Sequence, residues 1–220
     1  IYLRDLTNNK NLPDQIDNTS GNITWSLDSK SFFYSKLDKF HRPRKIYKHF
    51  LGKPVKNDEL IFEEKDETFT CNIGLTSDEK YFIISTSDHI TTEEYFFESI
   101  SDNIKPRLFK KRKKDVRYSL DSWKDYFYVH TNENARDYKI LRCKKDNIEN
   151  LEEFIPPKKE TVIGGLDFLD DYIIRAEKSD AIPKLYVRNI NSNVEEEIKI
   201  SSEPIGVPGA CLLYTSDAAD

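Results

Sequence analysis

The 220-residue chain contains no methionine, only three cysteines and only seven glycines. Because translation starts at Met and this chain starts at Ile1, we expect its N-terminus to be truncated. The sequence therefore does not tell whether the protein has a signal peptide. The three cysteines do not form a disulfide framework, which favours a reducing compartment and a cytoplasmic protein; they are Cys71, Cys143 and Cys211. No apolar run approaches the roughly 18 residues of a membrane span, so we expect no membrane partner.

Charged residues make up 33% of the chain and apolar residues 37%. So much charge is typical of disordered chains, but 13 Phe, 12 Tyr and 2 Trp can build a substantial core, which disordered chains lack. The net charge of -5 argues against a general nucleic-acid binder. We therefore expect a folded domain with no nucleic-acid partner.

The last ten residues differ in character from the rest. Residues 211–220 resemble the translation of a common transposon-type sequencing adaptor and hold two of the six alanines of the chain. We therefore expect the domain to span residues 1–210 and residues 211–220 to be an artefact that packs against nothing. The alternative is a natural polar tail.

Four segments repeat one pattern: a short strand, an Asp-containing turn and a strand rich in aromatic residues and Ile. These segments are residues 23–34, 73–84, 117–128 and 166–174. Their aromatic anchors are 49, 45 and 46 residues apart, and they are Phe32, Tyr81, Tyr126 and Tyr172. A period of about 40–50 residues is that of one four-stranded propeller blade.

Each repeat continues with a third and a fourth predicted strand. The third strands alternate apolar and charged residues, as strands buried on one face do, at 45–50, 94–98, 138–143 and 185–190. Fourth strands include 59–63 and 195–200, while a preceding third strand lies at 1–6 and a following first strand near 205–207. We therefore predict an all-β fold, a partial β-propeller with about four complete four-stranded blades in an open arc. The alternative is an antiparallel sandwich; helix is disfavoured because the most helical stretch, 147–154, soon meets Pro156.

No pattern assigns catalytic chemistry to the chain. There is no G-x-S-x-G turn, and Gly164-Gly165 lacks phosphate-loop spacing and indicates a bend on an inner strand. Cys71 and Cys143 have no C-x-x-C partner, which indicates ordinary packing. The histidines fall on separate repeats without metal-ligand spacing, and we interpret each as a strand-surface or loop residue; they are His41, His49, His89 and His130. We expect no catalytic residue, metal or cofactor here.

Two charge clusters stand out. Residues 110–114 are all Lys or Arg, and we interpret them as a charged outer strand that discourages edge aggregation, in preference to a nucleic-acid site. The second, acidic cluster spans residues 63–67, is closed by an aromatic residue and lies where one blade passes to the next. Such crossings lie on an end face of a propeller, where partners or substrates dock. The candidate interface or substrate-gating residues are therefore Glu63, Glu64, Lys65, Asp66 and Phe69; the alternative is a solvated turn.

These segments resemble, in order and spacing, the propeller domain of the oligopeptidase B group of the prolyl oligopeptidase family. The resemblance covers nearly all of residues 1–210 and is carried by residues 25–34, 42–52, 58–69, 112–121 and 151–157. The acidic stretch that ends in Phe69 is the most specific of them, since generic propellers have no reason to carry it. WD-repeat propellers match less well because their Gly-His and Trp-Asp signatures are absent.

The resemblance implies a serine peptidase that cleaves short peptides after Lys or Arg, with a seven-bladed propeller capping an α/β-hydrolase domain. In that family Ser attacks the scissile carbonyl, His shuttles the proton and Asp orients His, while the propeller gates access. We expect the triad to lie outside this chain and the chain alone to be inactive. The implied partners are short basic peptides and the protein's own C-terminal hydrolase domain. The alternative is a stand-alone propeller that acts as a protein-binding scaffold.

Overall fold

Each described strand pairs with a strand that is its neighbour in the sequence. The computed structural model describes residues 1–101 and 103–199. At the N-terminus, β1 (Tyr2–Asp5) and β2 (Lys10–Gln15) form a two-stranded antiparallel sheet, the partial blade. Four sheets of four strands follow, each with its strands in chain order, and they are termed blades 1 to 4.

Strands β3 to β18 form these four blades. Blades 1 and 2 contain β3 (Thr19–Trp25), β4 (Ser31–Leu37), β5 (Pro43–Phe50), β6 (Glu59–Glu63), β7 (Thr70–Leu75), β8 (Tyr81–Ser87), β9 (Thr92–Glu98) and β10 (Arg107–Lys110). Blades 3 and 4 contain β11 (Tyr118–Trp123), β12 (Tyr126–Thr131), β13 (Lys139–Lys144), β14 (Glu152–Ile155), β15 (Thr161–Leu169), β16 (Tyr172–Ser179), β17 (Ile182–Asn189) and β18 (Glu195–Ile198). A single turn of 3-10 helix, Val55–Asn57, lies between β5 and β6.

This architecture confirms the all-β prediction, with the end of one blade followed by four complete blades of four strands. Residues 147–154 form turns and the start of β14, so the most helical stretch is not a helix. The strand predicted near 205–207 and the tail 211–220 lie outside the described residues. The open arc and the seven-bladed parent stay predictions. The described residues contain no helix with the length and apolar character that crossing a bilayer requires.

The second strand of every blade carries three consecutive buried residues, so both of its faces are covered. The triplets begin at Phe32, Phe82, Phe127 and Ile173. Equivalent turns precede the first two, because Ser26 N donates to Ser31 O and Thr76 N donates to Tyr81 O. Ser31 therefore matches Tyr81 and Phe32 matches Phe82, so the predicted anchor Phe32 is one residue out of register with the anchor Tyr81. The cause is that both strands contain consecutive aromatic residues, which make the two alignments look alike in the sequence.

The described residues divide into two compact units, residues 1–129 with 143–151 and residues 130–142 with 152–199. In the first unit, aromatic rings of β4, β8 and β9 form the core between blades 1 and 2. The ring centroid of Phe33 lies 4.6 Å from that of Phe82 and 5.7 Å from that of Phe97. Cys71 is buried in the same cluster, as the packing interpretation requires, and burial raises the pKa of its thiol to about 12.

In the second unit, β15 bends at the predicted glycine pair. The pairing of β15 with β16 shifts register between Ile163 and Leu166, which brackets Gly164 and Gly165. A Cβ atom built on Gly164 would lie 2.8 Å from the carbonyl oxygen of Ala176, closer than real Cβ contacts, while one on Gly165 would meet nothing within 4 Å. The close approach of two strands therefore requires glycine at position 164 only.

Candidate gating segment and buried ion networks

The five candidate gating residues do not share one environment. Glu63 is exposed at the end of β6, and its Oε1 atom lies 3.1 Å from Nζ of Lys45. Lys65 and Asp66 are exposed in the crossing from β6 to β7. Glu64 and Phe69, by contrast, are buried, with 5% and 6% of their surfaces exposed. The sequence correctly marks the crossing but does not separate its outward from its inward side chains.

Arg112 explains why Glu64 and Phe69 point inward. Its Nη2 atom donates to Oε2 of Glu64 at 2.6 Å and to Oε2 of Glu93 at 2.8 Å. Its backbone N–H also donates to Oε1 of Glu93 at 2.8 Å. The guanidinium carbon lies 3.9 Å from the ring centroid of Phe69, which places the cation over the aromatic face. We call Glu64, Phe69, Glu93 and Arg112 the arginine clasp.

The clasp joins three parts of the first unit. Glu64 and Phe69 come from the crossing between blades 1 and 2, Glu93 from β9, and Arg112 from the segment after β10. Burial alone would raise the pKa of the Glu93 carboxyl, but its hydrogen bonds from Arg112 outweigh burial and lower that pKa. Both buried carboxylates are therefore held as counterions of one cation, whose side chain is only 23% exposed. They contribute to the contact between the blades.

The crossing itself is locally ordered. Oε1 of Glu64 accepts the Asp66 N–H at 2.9 Å, and Oδ1 of Asp66 accepts the Thr68 hydroxyl at 2.7 Å and its N–H at 2.9 Å. Hydrogen bonds from Thr68 hold the pKa of the Asp66 carboxyl below its ordinary range. Arg44 Nη2 donates to the Glu64 carbonyl oxygen at 2.7 Å. The exposed charges of Glu63, Lys65 and Asp66 therefore sit on a fixed loop.

The basic run 110–114 is only partly the outer strand that the sequence suggests. β10 ends at Lys110, and it is the edge strand of blade 2. Residues 111–114 follow the strand, and Arg112 turns inward to the clasp. The interpretation as a charged outer strand is therefore wrong for Arg112, because two buried carboxylates attract this one cation of the run.

A second network surrounds His49, for which the sequence predicts a position on a strand surface or in a loop. His49 is fully buried on β5, so that interpretation is wrong. Its Nδ1 atom lies 2.7 Å from Oδ1 of Asp58, and its Nε2 atom lies 2.9 Å from Oδ1 of Asp14. Asp14 also accepts the Gly52 N–H at 2.6 Å, and Tyr34 donates its hydroxyl proton to Asp58 at 2.8 Å. Phe32 packs on the imidazole, with ring centroids 5.2 Å apart.

Two carboxylates on one imidazole indicate a charged histidine. A neutral imidazole has one N–H, so it satisfies only one of the two carboxylates, whereas the imidazolium donates to both. Burial alone would lower the pKa of His49, but the hydrogen bonds to Asp14 and Asp58 outweigh burial and raise it. Because both ring nitrogens carry protons, neither has a lone pair for a metal ion. Across residues 1–101 and 103–199, no group of three His, Cys, Asp or Glu side chains is placed to hold one.

No linear pattern marks this network. Asp14, His49 and Asp58 belong to β2, β5 and the loop before β6, and their spacing matches no metal or catalytic motif. His41 and His89 are exposed, as expected, while His130 is half-buried and its Nε2 donates to the Ile163 carbonyl oxygen at 2.8 Å.

Four-stranded sheets that follow one another along the chain, with a doubly covered second strand in each, define a β-propeller. The family model described as "Prolyl oligopeptidase, N-terminal beta-propeller domain" matches residues 1–212. The chain therefore belongs to the prolyl oligopeptidase family, as part of its N-terminal propeller domain. This finding confirms the family that the sequence resemblance indicated.

Individual relatives agree with the family. The chain is 28% identical over 189 residues to Protease 2 of Moraxella lacunata, covering 85% of this chain and 27% of that protein. It is 27% identical over 191 residues to dipeptidyl aminopeptidase BI of Pseudoxanthomonas mexicana, covering 85% of this chain and 26% of that protein. The structure of oligopeptidase B from Leishmania major has the same fold, with a TM-score of 0.83 at 19% identity over 92% of this chain and 30% of that one. The chain thus spans about a quarter of the length of the curated relatives it matches.

Proposed function

We propose that the chain is the propeller part of a serine endopeptidase that cleaves short peptides after Lys or Arg, in the manner of oligopeptidase B. The observation that carries the proposal is the family match along residues 1–212, together with relatives that are named as peptidases. The fold similarity to oligopeptidase B supports the choice within the family. We also propose a cytoplasmic location, on the scarcity of cysteine.

In this proposal the propeller gates the reaction and does not perform it. An acyl-transfer site needs a nucleophile, an adjacent base and an oxyanion hole that converge on one point. Those groups belong to a hydrolase domain encoded with this propeller. The blades would exclude folded proteins and admit short, flexible, basic peptides. The exposed charges of Glu63, Lys65 and Asp66 would act at the hydrolase interface or on entering peptides, while the arginine clasp keeps their loop in place.

The test is peptide hydrolysis by the full-length gene product and by the 220-residue chain. The full-length protein should cleave fluorogenic peptides after Arg or Lys, should leave matched peptides with Glu at that position intact, and should be blocked by a serine-directed inhibitor. The isolated chain should cleave none of them. Absence of cleavage by the full-length protein would favour the stand-alone binding scaffold. Inhibitor-sensitive cleavage by the isolated chain would contradict the assignment of the chemistry to a second domain.

A further inference from the structure

Two cavities adjoin at the start of β8 and the end of β9. The first, of about 440 Å³, has mainly apolar walls that include Leu27 and Ile100, with Glu79 and Lys80 at its edge; we call it the apolar cavity. The second, of about 220 Å³, has polar walls that include Lys105, Arg107 and Lys145; we call it the basic cavity. Tyr81 and Glu98 line both. A ligand that reaches past these two side chains would contact both cavities.

Strand pairing explains why these side chains converge. Tyr81 is the direct partner of Glu98 in the β8–β9 ladder, and Arg107 is the partner of Phe96 in the β9–β10 ladder. Directly paired residues, and residues two apart in a strand, lie on the same face of a sheet. All four side chains therefore lie on one face of blade 2. The guanidinium of Arg107 lies over the Phe96 ring, 5.1 Å from its centroid.

The turn before β8, which borders the apolar cavity, is held rigidly. Ser77 donates its N–H and its hydroxyl to the two carboxylate oxygens of Asp121, at 2.8 Å and 2.6 Å. Ser99 N–H donates to the Lys80 carbonyl oxygen at 2.9 Å, which ties the turn before β8 to the turn after β9. Because these walls are already ordered, the protein loses less conformational entropy when a ligand binds.

Four of the charged residues around the cavities make no ion pair with another described residue. Within residues 1–101 and 103–199, no ion pair involves Glu79, Glu98, Lys105 or Arg107, and all four are exposed. Lys145 differs, because its ammonium donates to Asp78 Oδ2 at 2.7 Å and to a backbone carbonyl oxygen. Glu79 and Glu98 thus flank the apolar cavity, with Lys80 as the opposing cation among its described lining residues. The basic cavity is lined by Lys105, Arg107 and the paired Lys145 together with the shared Glu98.

These features together describe the ligand. The apolar walls fit a hydrocarbon stem, the carboxylates beside them fit a cation at its end, and the neighbouring cations fit a carboxylate attached to the same unit. We propose that the two cavities bind the C-terminal Lys or Arg of a peptide. The side chain lies along Leu27 and Ile100 with its cation at Glu79 and Glu98, and the terminal carboxylate lies at Arg107.

An apolar C-terminal residue would leave Glu79 and Glu98 unpaired, and an internal Lys or Arg would leave the basic cavity empty. A peptide with a free C-terminal Lys or Arg is what cleavage after those residues releases. The site would then retain one product of the reaction on the propeller. Only this source of the ligand rests on the proposed function; the binding geometry does not.

The experiment measures fluorescence anisotropy of labelled peptides with the 220-residue chain, whose β structure circular dichroism checks. The probes are fluorescein-Gly-Gly-Arg with a free C-terminus, the same peptide as its amide, and its norleucine analogue with a free C-terminus. We expect the amide and the norleucine peptide each to bind about tenfold more weakly than the free acid. Equal binding of either analogue, or no binding of the free acid, would overturn the proposal.

Variants locate the site. Glu98→Gln and Arg107→Gln should each weaken binding of the free acid by about tenfold, whereas the exposed substitutions Glu59→Gln and Lys111→Gln, outside both cavities, should not. Wild-type affinity in both cavity variants would place the binding elsewhere and refute the proposal. The result is independent of catalysis: an inactive full-length protein would contradict the proposed function and leave these affinities as they are.

Discussion

The Nε2 atom of His49 lies 2.9 Å from Oδ1 of Asp14, although the two residues are 35 positions apart in the chain. Asp14 belongs to the partial blade and His49 to blade 1, so this contact joins two different sheets. The other ring nitrogen of His49 contacts Asp58, so the imidazole bridges two carboxylates. The junction therefore depends on the charge of one buried side chain.

Stability should fall as the pH rises above neutrality. The pKa of His49 is raised above its ordinary value of 6.5, so its contribution to the free energy of unfolding is complete below about pH 6.5 and is lost as the pH rises through the raised pKa. Asp14 acts oppositely: its pKa is lowered from 3.8, and its contribution is lost only as the pH falls through that lowered pKa. Urea unfolding between about pH 6 and pH 9 measures the slope.

His49→Gln should remove the part of that slope due to His49, and the exposed substitution His89→Gln should retain it. Tyr34, which donates to Asp58, has a pKa raised first by burial and then by that bond, and it stays neutral throughout this range. An unchanged slope in His49→Gln would assign the pH dependence to another group.

Breaking the arginine clasp should destabilise the chain strongly. Arg112→Met leaves Glu64 and Glu93 buried without their cation, and we expect a loss of about 3–5 kcal/mol in the free energy of unfolding. Arg112→Lys keeps the charge but loses the planar fork over Phe69, and a smaller loss of about 1–3 kcal/mol should result. Lys111→Met, one residue away and exposed, is the matched control for thermal and urea unfolding. Equal stability of Arg112→Met and Lys111→Met would show that the clasp adds nothing.

The exposed charges of the gating segment should affect kinetics and not folding. In the full-length protein, Glu63→Gln combined with Asp66→Asn should raise KM for a basic peptide a few-fold at low ionic strength and leave kcat unchanged, because both carboxylates attract the substrate from a distance. The difference should vanish at high salt. Glu59→Gln combined with Glu196→Gln, both exposed and outside the segment, is the control with an equal change of charge. Identical kinetics at both ionic strengths would reduce the segment to a solvated turn.

The two adjacent glycines of β15 should respond differently to the same change. In Gly164→Ala the new methyl group meets the backbone of Ala176, so we expect a loss of about 1–3 kcal/mol in the free energy of unfolding. Gly165→Ala has open space and should be nearly neutral. Thermal unfolding of the two variants compares them directly. Equal losses at both positions would exclude the close strand approach as the cause.

The repeat made the fold predictable. Each blade is built from neighbouring strands whose alternation and turns are local properties of the sequence. The predicted bounds of β6 therefore agree with the structure, and the predicted third strands begin and end within three residues of the observed ones. The register of the first repeat is the exception, because Phe32 and Phe33 are adjacent aromatic residues. The period of the repeat does not decide which of the two matches Phe82.

The ion networks were not predictable by the same means. The sequence gives Glu64 and Asp66 the same appearance of acidic surface residues. Glu64 is nevertheless buried, paired with Arg112, which lies 48 positions away in the chain. His49 likewise obtains its two carboxylate partners from two other parts of the chain. The local alternation of apolar and polar residues indicates which residues can form strands. Whether a charged residue is buried depends on a partner of opposite charge, which comes near only when the blades have assembled.

The strictly sequential pairing of the strands also bears on how the chain folds. Every sheet closes on short loops, so each blade can form with little loss of chain entropy, and its hairpins can appear before the neighbouring blade exists. The bonds from Asp14 to His49 and from Glu64 to Arg112 need two formed blades, so they arise late. Substitutions in these two ion networks should therefore raise the unfolding rate much more than they lower the folding rate. The networks thus slow the unfolding of the folded chain.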